Sequence, residues 1–187
     1  KEPSGKLPPV SSQLPSFVLP WEKSDSRRAS WTKKLIQLVS ADLDKYMIAQ
    51  DITKIFPGIR ATSRDAQVKA ICLFWCWVAY FESGWNPNSS SVDVGSEDDM
   101  DTWSIGLMQM SVVDQESYHV PMGLDYKKLL IPENNIELAH KIMIKQIASR
   151  GKIFIPKGEK GLYWACISPG GKYDSSAKII AMIGGGL

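Results

Sequence analysis

The chain has 187 residues, 44% hydrophobic and 22% charged, which suits one globular domain with a sizeable core rather than a disordered chain. Its 22 basic and 20 acidic residues leave a net charge of +2, and no basic stripe with interleaved aromatics appears, which argues against nucleic acid as a partner. The longest apolar run, Ala70 to Phe81, is about twelve residues, too short for a membrane-spanning segment.

Pro3, Pro8, Pro9, Pro15 and Pro20 crowd the start of the chain. Repeated proline blocks helix and central strand alike, so residues 1–29 read as an extended arm ahead of one folded domain, 30–187. Val10, Leu14, Phe17, Val18 and Trp21 would let the arm pack along that domain; a tether is the other reading. No apolar signal region follows Lys1-Glu2-Pro3, which suits a mature exported chain and a cytosolic one alike.

Ser30 is a good cap for a helix from Trp31 to about Gln50, with Trp31, Leu35, Leu38, Val39, Asp42, Tyr46 and Ala49 at helical spacing. A loop ends at Pro57-Gly58, and Thr62 or Ser63 can cap the next helix, which runs to about Ser83. Residues 86–103 are rich in Ser, Asn, Asp and Gly, the signature of a loop or a short irregular sheet. Asp93, Glu97, Asp98, Asp99 and Asp101 fall within nine positions there. They lack the spacing of a calcium-binding EF-hand, and a solvated loop explains most such clusters. Tyr118 to Leu130 reads as connecting structure. A helix is expected from Asn135 to Arg150, with Ile136, Ala139, Met143 and Ile147 on one face and Gly151 as its stop. A short helix over Leu162 to Ser168 and a last one over Tyr173 to Ile183 complete a mostly α chain. No βαβ alternation appears, so a parallel sheet is not expected. His119 and His140 have no Ser or Cys partner pattern and read as ordinary surface or helix residues.

The three cysteines are Cys72, Cys76 and Cys166. The first two are one helical turn apart without the further Cys or His partners of a zinc site, so no metal is implied. Cys166 pairing with Cys72 or Cys76 would imply an oxidising compartment; three buried thiols are the alternative.

The chain is organised around Trp75 to Met110. Val68, Ile71, Cys72, Trp75, Val78 and Ala79 make one helical face, and the same spacing puts Glu82 on it. A carboxyl at the end of an apolar stripe, near Trp75, Trp77, Phe81 and Trp85, is partly desolvated. Desolvation penalises the charged form and raises the pKa. A carboxylic acid that stays protonated near neutral pH can serve as a general acid. A solvated Glu at a helix end is the plain alternative.

Glu82-Ser83, then Asn86-Pro87, a polar loop, and Gly106-Leu107-Met108-Gln109 resemble the signature of the lysozyme-like superfamily, closest to the soluble lytic transglycosylases and goose-type lysozymes. The separation of 24 positions from Glu82 to Gly106 fits. Leu130 to Ile136 resembles the family's L-x-P-x-x-N-I segment. Tyr163-Trp164-Ala165-Cys166 is similar to its late Y-N-A-G motif, with Asn and Gly replaced. The resemblance implies a lysozyme-like fold, mostly α (α+β), with a central helix and a small irregular β or loop region. It implies Glu82 as the acid that protonates the glycosidic oxygen, with Ser104, Gln109, Tyr163 and Met108 as substrate-binding candidates. For Met108, core packing is the alternative; for Ser104, packing of a turn.

The implied partner is the glycan strand of peptidoglycan, cut at the MurNAc–GlcNAc β-1,4 bond by an exported, monomeric enzyme without metal or organic cofactor. The first reading is hydrolysis by a lysozyme (muramidase), which needs a second group for the water, and Asp101, nearest the cleft motif, is the first candidate. The alternative is a lytic transglycosylase, which manages with one Glu while the muramyl 6-hydroxyl closes an anhydro ring. A catalytically inactive glycan-binding module on the same fold is the further alternative.

Overall fold

The computed structural model describes residues 14–92, 95–159 and 163–187. The first thirteen residues of the expected arm, and Asp93 of the acidic loop, lie outside the described residues. Within 14–29, Pro20 opens a short helix, α1 (Pro20–Ser24), at the first-turn position where its missing N–H costs nothing. Leu19 and Trp21 are fully buried. The Trp21 indole donates to Thr32 Oγ1 at 2.8 Å and meets Trp31 edge-on, so these residues share the main core.

The fold is mostly α. A long helix, α4 (Arg64–Ser83), lies against α2 (Ala29–Ala41) on one side and α8 (Ser176–Gly184) on another; α2 also packs on α7 (Pro132–Arg150). Ser63 caps α4 by accepting from the Ala66 N–H. Burial runs further round α4 than a single face: Ala70, Leu73, Phe74 and Cys76 are buried along with the apolar stripe. Such a helix occupies the middle of a domain rather than its surface. Gly84 ends it in the left-handed conformation at φ 62°, which a residue without Cβ adopts freely.

The helix expected from Trp31 to Gln50 breaks in two. Asp42 separates α2 from α3 (Leu43–Met47). Its carboxylate bonds His140 Nε2 at 2.9 Å and pairs with Lys45. His140 is buried, contrary to expectation. Its Nδ1 meets the Tyr46 hydroxyl at 3.0 Å, and that oxygen accepts from the Trp75 indole at 2.8 Å. Burial pushes the His140 pKa down, as expected of a histidine held neutral between an acceptor and a donor.

The β region is small. β1 (Ser90–Ser91) pairs antiparallel with β2 (Ser104–Ile105), Ser90 opposite Ile105 and Ser91 opposite Ser104. β2 leads into a tight turn closed by two bonds between Ile105 and Met110, at 2.8 and 2.9 Å. A short helix, α5 (Asp114–Ser117), precedes the stretch expected as connection, and another, α6 (Tyr126–Leu129), falls within it. α7 starts three residues before Asn135, with Pro132 in its first turn, and stops at Gly151. The late segment is a single 3-10 turn, Ala165–Ile167, before α8.

Asn135, wholly buried in the first turn of α7, holds the 105–110 turn in place. Its Nδ2 donates to the Ile105 and Leu129 carbonyls at 2.8 and 2.9 Å, and its Oδ1 accepts from the Met108 N–H at 2.7 Å. Gly106 passes so close that an added Cβ would sit 2.7 Å from both Asn135 Nδ2 and the Leu129 carbonyl, at φ 76°. Asn135→Ala leaves the Met108 N–H and the Leu129 carbonyl unpaired and takes one of two bonds from the Ile105 carbonyl, and is expected to cost about 3 kcal/mol of stability. Asn135→Asp keeps an acceptor for Met108 but has no donor for the two carbonyls, so urea denaturation should place both variants well below the parent.

Candidate active site

Glu82 sits in the last turn of α4, half-buried. The next residue ties that turn to the region opposite: Ser83 Oγ donates to the Leu107 carbonyl at 2.8 Å. The end of α4 and the Gly106–Gln109 turn are thereby fixed to each other by main-chain and hydroxyl groups, which hold position better than long side chains.

Between them lies a cleft of about 720 Å³ with Glu82 in its wall. Hydroxyl and amide groups line most of the rest: Ser89, Ser91, Thr102, Ser104, Gln109 and Ser111. Gln109 adopts φ 51°, unusual for a residue with a Cβ. Its side chain is held on both ends, Oε1 accepting from Ser91 Oγ at 2.9 Å and Nε2 donating to the Gly106 carbonyl at 2.9 Å. Tyr163 and Asp114 close one side. The Tyr163 hydroxyl donates to an Asp114 carboxylate oxygen and reaches the Gln109 carbonyl. Burial, and then the Asp114 charge, push the Tyr163 phenol well above its ordinary range, so it remains a donor at any working pH.

The floor beside Glu82 comes from residues 164–166. Trp164 is buried edge-on against Trp75, centroids 5.1 Å apart, and its indole donates to the Met108 carbonyl at 3.3 Å. Cys166 turns its thiol and its main-chain N–H toward the Glu82 carboxyl. Burial raises the Glu82 pKa above the ordinary glutamate value, and the two Cys166 donors offset part of that rise.

Ser104, Gln109 and Tyr163 therefore line one cleft with Glu82, but two expected site residues do not. Met108 is fully buried and points into the core, contributing main-chain groups rather than a side-chain contact. Asp101 is exposed and lines a different cavity, of about 550 Å³, with Val112, Gln115, His119 and Leu124. Met100–Thr102 form a single 3-10 turn ahead of β2, so neighbouring side chains there leave the chain in different directions. Thr102 and Ser104 face the cleft, while Trp103 between them packs on Tyr126 and Asp101 points away. Glu97, Asp98 and Asp99 are exposed and line neither.

Asp114 is the carboxylate that the sequence reading missed. Its Oδ2 accepts from the Ser111 N–H at 2.6 Å, the reciprocal half of a capping box, and Ser111-x-x-Asp114 carries that pattern. The pattern announces a helix start and says nothing of a cleft. The aromatics around Glu82 also differ from expectation. Trp77 and Trp85 cluster with Tyr80, and the Trp75 indole is turned to Tyr46.

The cysteines form no disulfide; all three are buried thiols. Cys72 lies near Tyr46 and Cys76 near the Trp21 main chain, whereas Cys166 is taken up by Glu82. Among the described residues, no three His, Cys, Asp or Glu side chains gather as metal ligands would, and no helix is long and apolar enough to cross a membrane.

The family model described as "Transglycosylase SLT domain" matches residues 68–157. That span holds Glu82-Ser83, the Gly106–Gln109 turn and Asn135. Over that span the chain matches the SLT domain, of the lysozyme-like superfamily. Solved structures of DslA resemble it in fold. The wild-type form matches with a TM-score of 0.73 at 17% identity, over 88% of this chain and 93% of that one. Two glutamate-to-glutamine variants of DslA match with TM-scores of 0.66 at 18% identity and 0.71 at 17%, over similar shares of both chains, 88% and 93% in the first case and 89% and 94% in the second. No curated protein matches the sequence. The SLT domain supports a peptidoglycan-related function of the lytic transglycosylase kind.

Followed by carbon-detected NMR, the Glu82 carboxyl of the SLT domain should titrate above the model-peptide value of about 4.3. Cys166→Ser replaces a weak donor by a stronger one that favours the charged form. That variant should titrate at lower pH than the parent; an unchanged or higher midpoint would mean that residue 166 does not bond the carboxyl.

Proposed function

We propose that this protein cleaves the MurNAc–GlcNAc β-1,4 bond of peptidoglycan glycan strands, with Glu82 as general acid. The observation that carries this reading is a carboxyl of raised pKa in the wall of a cleft lined by hydroxyl and amide groups. Sugars offer hydroxyls and acetamido groups to such a lining. Glu82 gives its proton to the glycosidic oxygen as the C1–O bond breaks, which leaves an oxocarbenium-like centre on the muramyl ring. Ser104, Gln109 and Tyr163 would hold the sugars on either side. Because peptidoglycan lies outside the cytoplasmic membrane, the place of work is the cell envelope.

The transglycosylase outcome is the better supported. Asp101 lines another cavity, and Asp114 is engaged by Tyr163 and Ser111. With no water activated, the muramyl 6-hydroxyl attacks C1 and its proton returns to Glu82, so that one carboxyl completes the cycle. Hydrolysis is the second reading. It is favoured by the presence of Asp114 in the cleft, where its other oxygen could orient a water. An inactive glycan-binding module has against it a half-buried Glu82 of raised pKa in the cleft wall.

Glu82→Gln keeps the shape and cannot deliver the proton. Its cleavage rate on purified peptidoglycan should fall by about 10²–10⁴-fold, with glycan binding retained. Mass spectrometry of the products should find 1,6-anhydromuramyl ends; products heavier by one water would establish hydrolysis instead. Cleavage should also decline as pH rises through the elevated Glu82 pKa, because the acid form is then lost.

Asp101→Asn should leave the rate within a few-fold of the parent, while a loss as deep as that of Glu82→Gln would restore the two-carboxylate mechanism with Asp101 in it.

A further inference from the structure

The cleft continues past Glu82 into a second cavity of about 530 Å³ with a different lining. Glu82, Ala165 and Tyr173 line both cavities. On the first side the wall carries hydroxyls and amides, with Asp114 bonded to Tyr163 and Ser111 and no cation. On the second it carries two cations, Lys172 and Lys178.

Lys178 stands on α8, whose Ile179 and Ile183 are fully buried, and Lys172 stands in the turn before it. The Ser175 N–H donates to the Cys166 carbonyl at 2.8 Å, which fixes this end of the chain to the floor beside Glu82. The Lys172 ammonium lies 5.1 Å from the centre of the Tyr173 ring, at the junction of the two cavities. Among the described residues, neither lysine forms an ion pair, whereas Lys34, Lys45, Lys141 and Lys152 do. The one other acid of the second cavity, Asp174, is occupied by neutral donors. It accepts from the Ser176 N–H and hydroxyl at 2.9 and 2.6 Å and from the Gly170 N–H at 3.0 Å. The second cavity thus presents two cations whose charges no neighbouring carboxylate takes up.

We infer that this second cavity binds a carboxylate carried on the muramyl substituent of the glycan strand, held by Lys172 and Lys178. The inference rests on the function proposed above and names the part of that substrate which lies beyond Glu82. The glycan backbone itself is neutral in its N-acetylated form. Its carboxylates sit on the lactyl ether of the muramyl residue or, where stems are attached, on the stem peptide. Ammonium groups pair with such carboxylates through short, charge-assisted bonds. The division of the lining then matches the substrate: sugar hydroxyls on one side of Glu82, an acidic substituent on the other.

The test measures affinity on the Glu82→Gln background, so that strands stay intact, with and without Lys172→Ala plus Lys178→Ala. Three soluble strand preparations serve as probes: strands with stem peptides, strands stripped by an amidase to the lactyl carboxylate, and strands with all carboxylates converted to amides. The lysine pair should account for about tenfold in affinity, the scale of two partly exposed charged contacts, on carboxylate-bearing strands. On amidated strands the change should stay within about twofold. A loss on stripped strands alone assigns the lactyl carboxylate, a loss on stem-bearing strands alone assigns the stem peptide, and a loss on both shows that the lysines accept either carboxylate. An equal loss on amidated strands, or no loss on any, overturns the inference; Lys178→Glu should then also fail to discriminate between preparations. Failure of the unaltered protein to cut any preparation would sink the proposed function and leave the affinity comparison standing.

Discussion

Three hydrogen bonds from one buried amide hold the candidate site together. Asn135 binds Ile105 and Leu129 through its donors and Met108 through its acceptor. It thereby pins the main chain of a tight turn, whose Ile105, Leu107, Met108 and Met110 side chains are buried in the core, to the first turn of a long helix. A tight turn of six residues cannot supply partners for all its main-chain groups, and a buried unpaired group is expensive. Asn is the side chain that offers both donors and an acceptor at short reach. Gly106 follows from the same demand, since any Cβ there would push the amide away. Ser83 then joins the turn to the end of α4, so the position of Glu82 relative to Gln109 is set by main-chain contacts on both sides.

The electrostatics of Glu82 are a balance rather than simple burial. Desolvation favours the neutral acid, while the Cys166 thiol and N–H favour the ion. The sequence at the floor, Trp-Ala-Cys where the resembling motif has Asn-Ala-Gly, bears on that balance. Trp164 adds apolar bulk anchored on Trp75, and Cys166 adds a weak donor. The replacements thus modify the environment of Glu82 in opposite directions while keeping the main chain close to it. Tyr163, the retained residue, reaches across to Asp114 and Gln109 and closes the opposite side.

Much of this was legible in the sequence, for physical reasons. The apolar stripe of α4, the cap at Ser63 and the glycine after Ser83 each report a local requirement that a single residue type satisfies. Gly106 to Gln109 and Asn135 stood out as motif residues, although the bond between them is non-local and has no sequence pattern of its own. What the sequence hid was orientation. Whether Asp101 or Thr102 faces the cleft depends on how a single 3-10 turn, Met100–Thr102, is oriented, and no periodicity runs long enough there to fix it. His140 read as an ordinary surface or helix residue; it stands in α7, and its burial was hidden because its partners, Asp42 and Tyr46, lie about a hundred positions away. The break at Asp42 was hidden for the same reason. Cys166 read as a partner for Cys72 or Cys76 because all three belong to one packed region, and only the directions of the side chains separate them.

The walls around Glu82 are made by two stretches of chain that are synthesised far apart. Residues 82–118 form one side, and 163–175 arrive from near the far end. No disulfide links them. Until the later stretch docks, Glu82 has water where Ala165, Cys166 and Tyr173 will stand, and a solvated glutamate is ionised at neutral pH. The burial that raises the Glu82 pKa is therefore complete only once that stretch has docked. The character of this acid depends on the polypeptide having closed on itself, and not on its own helix alone.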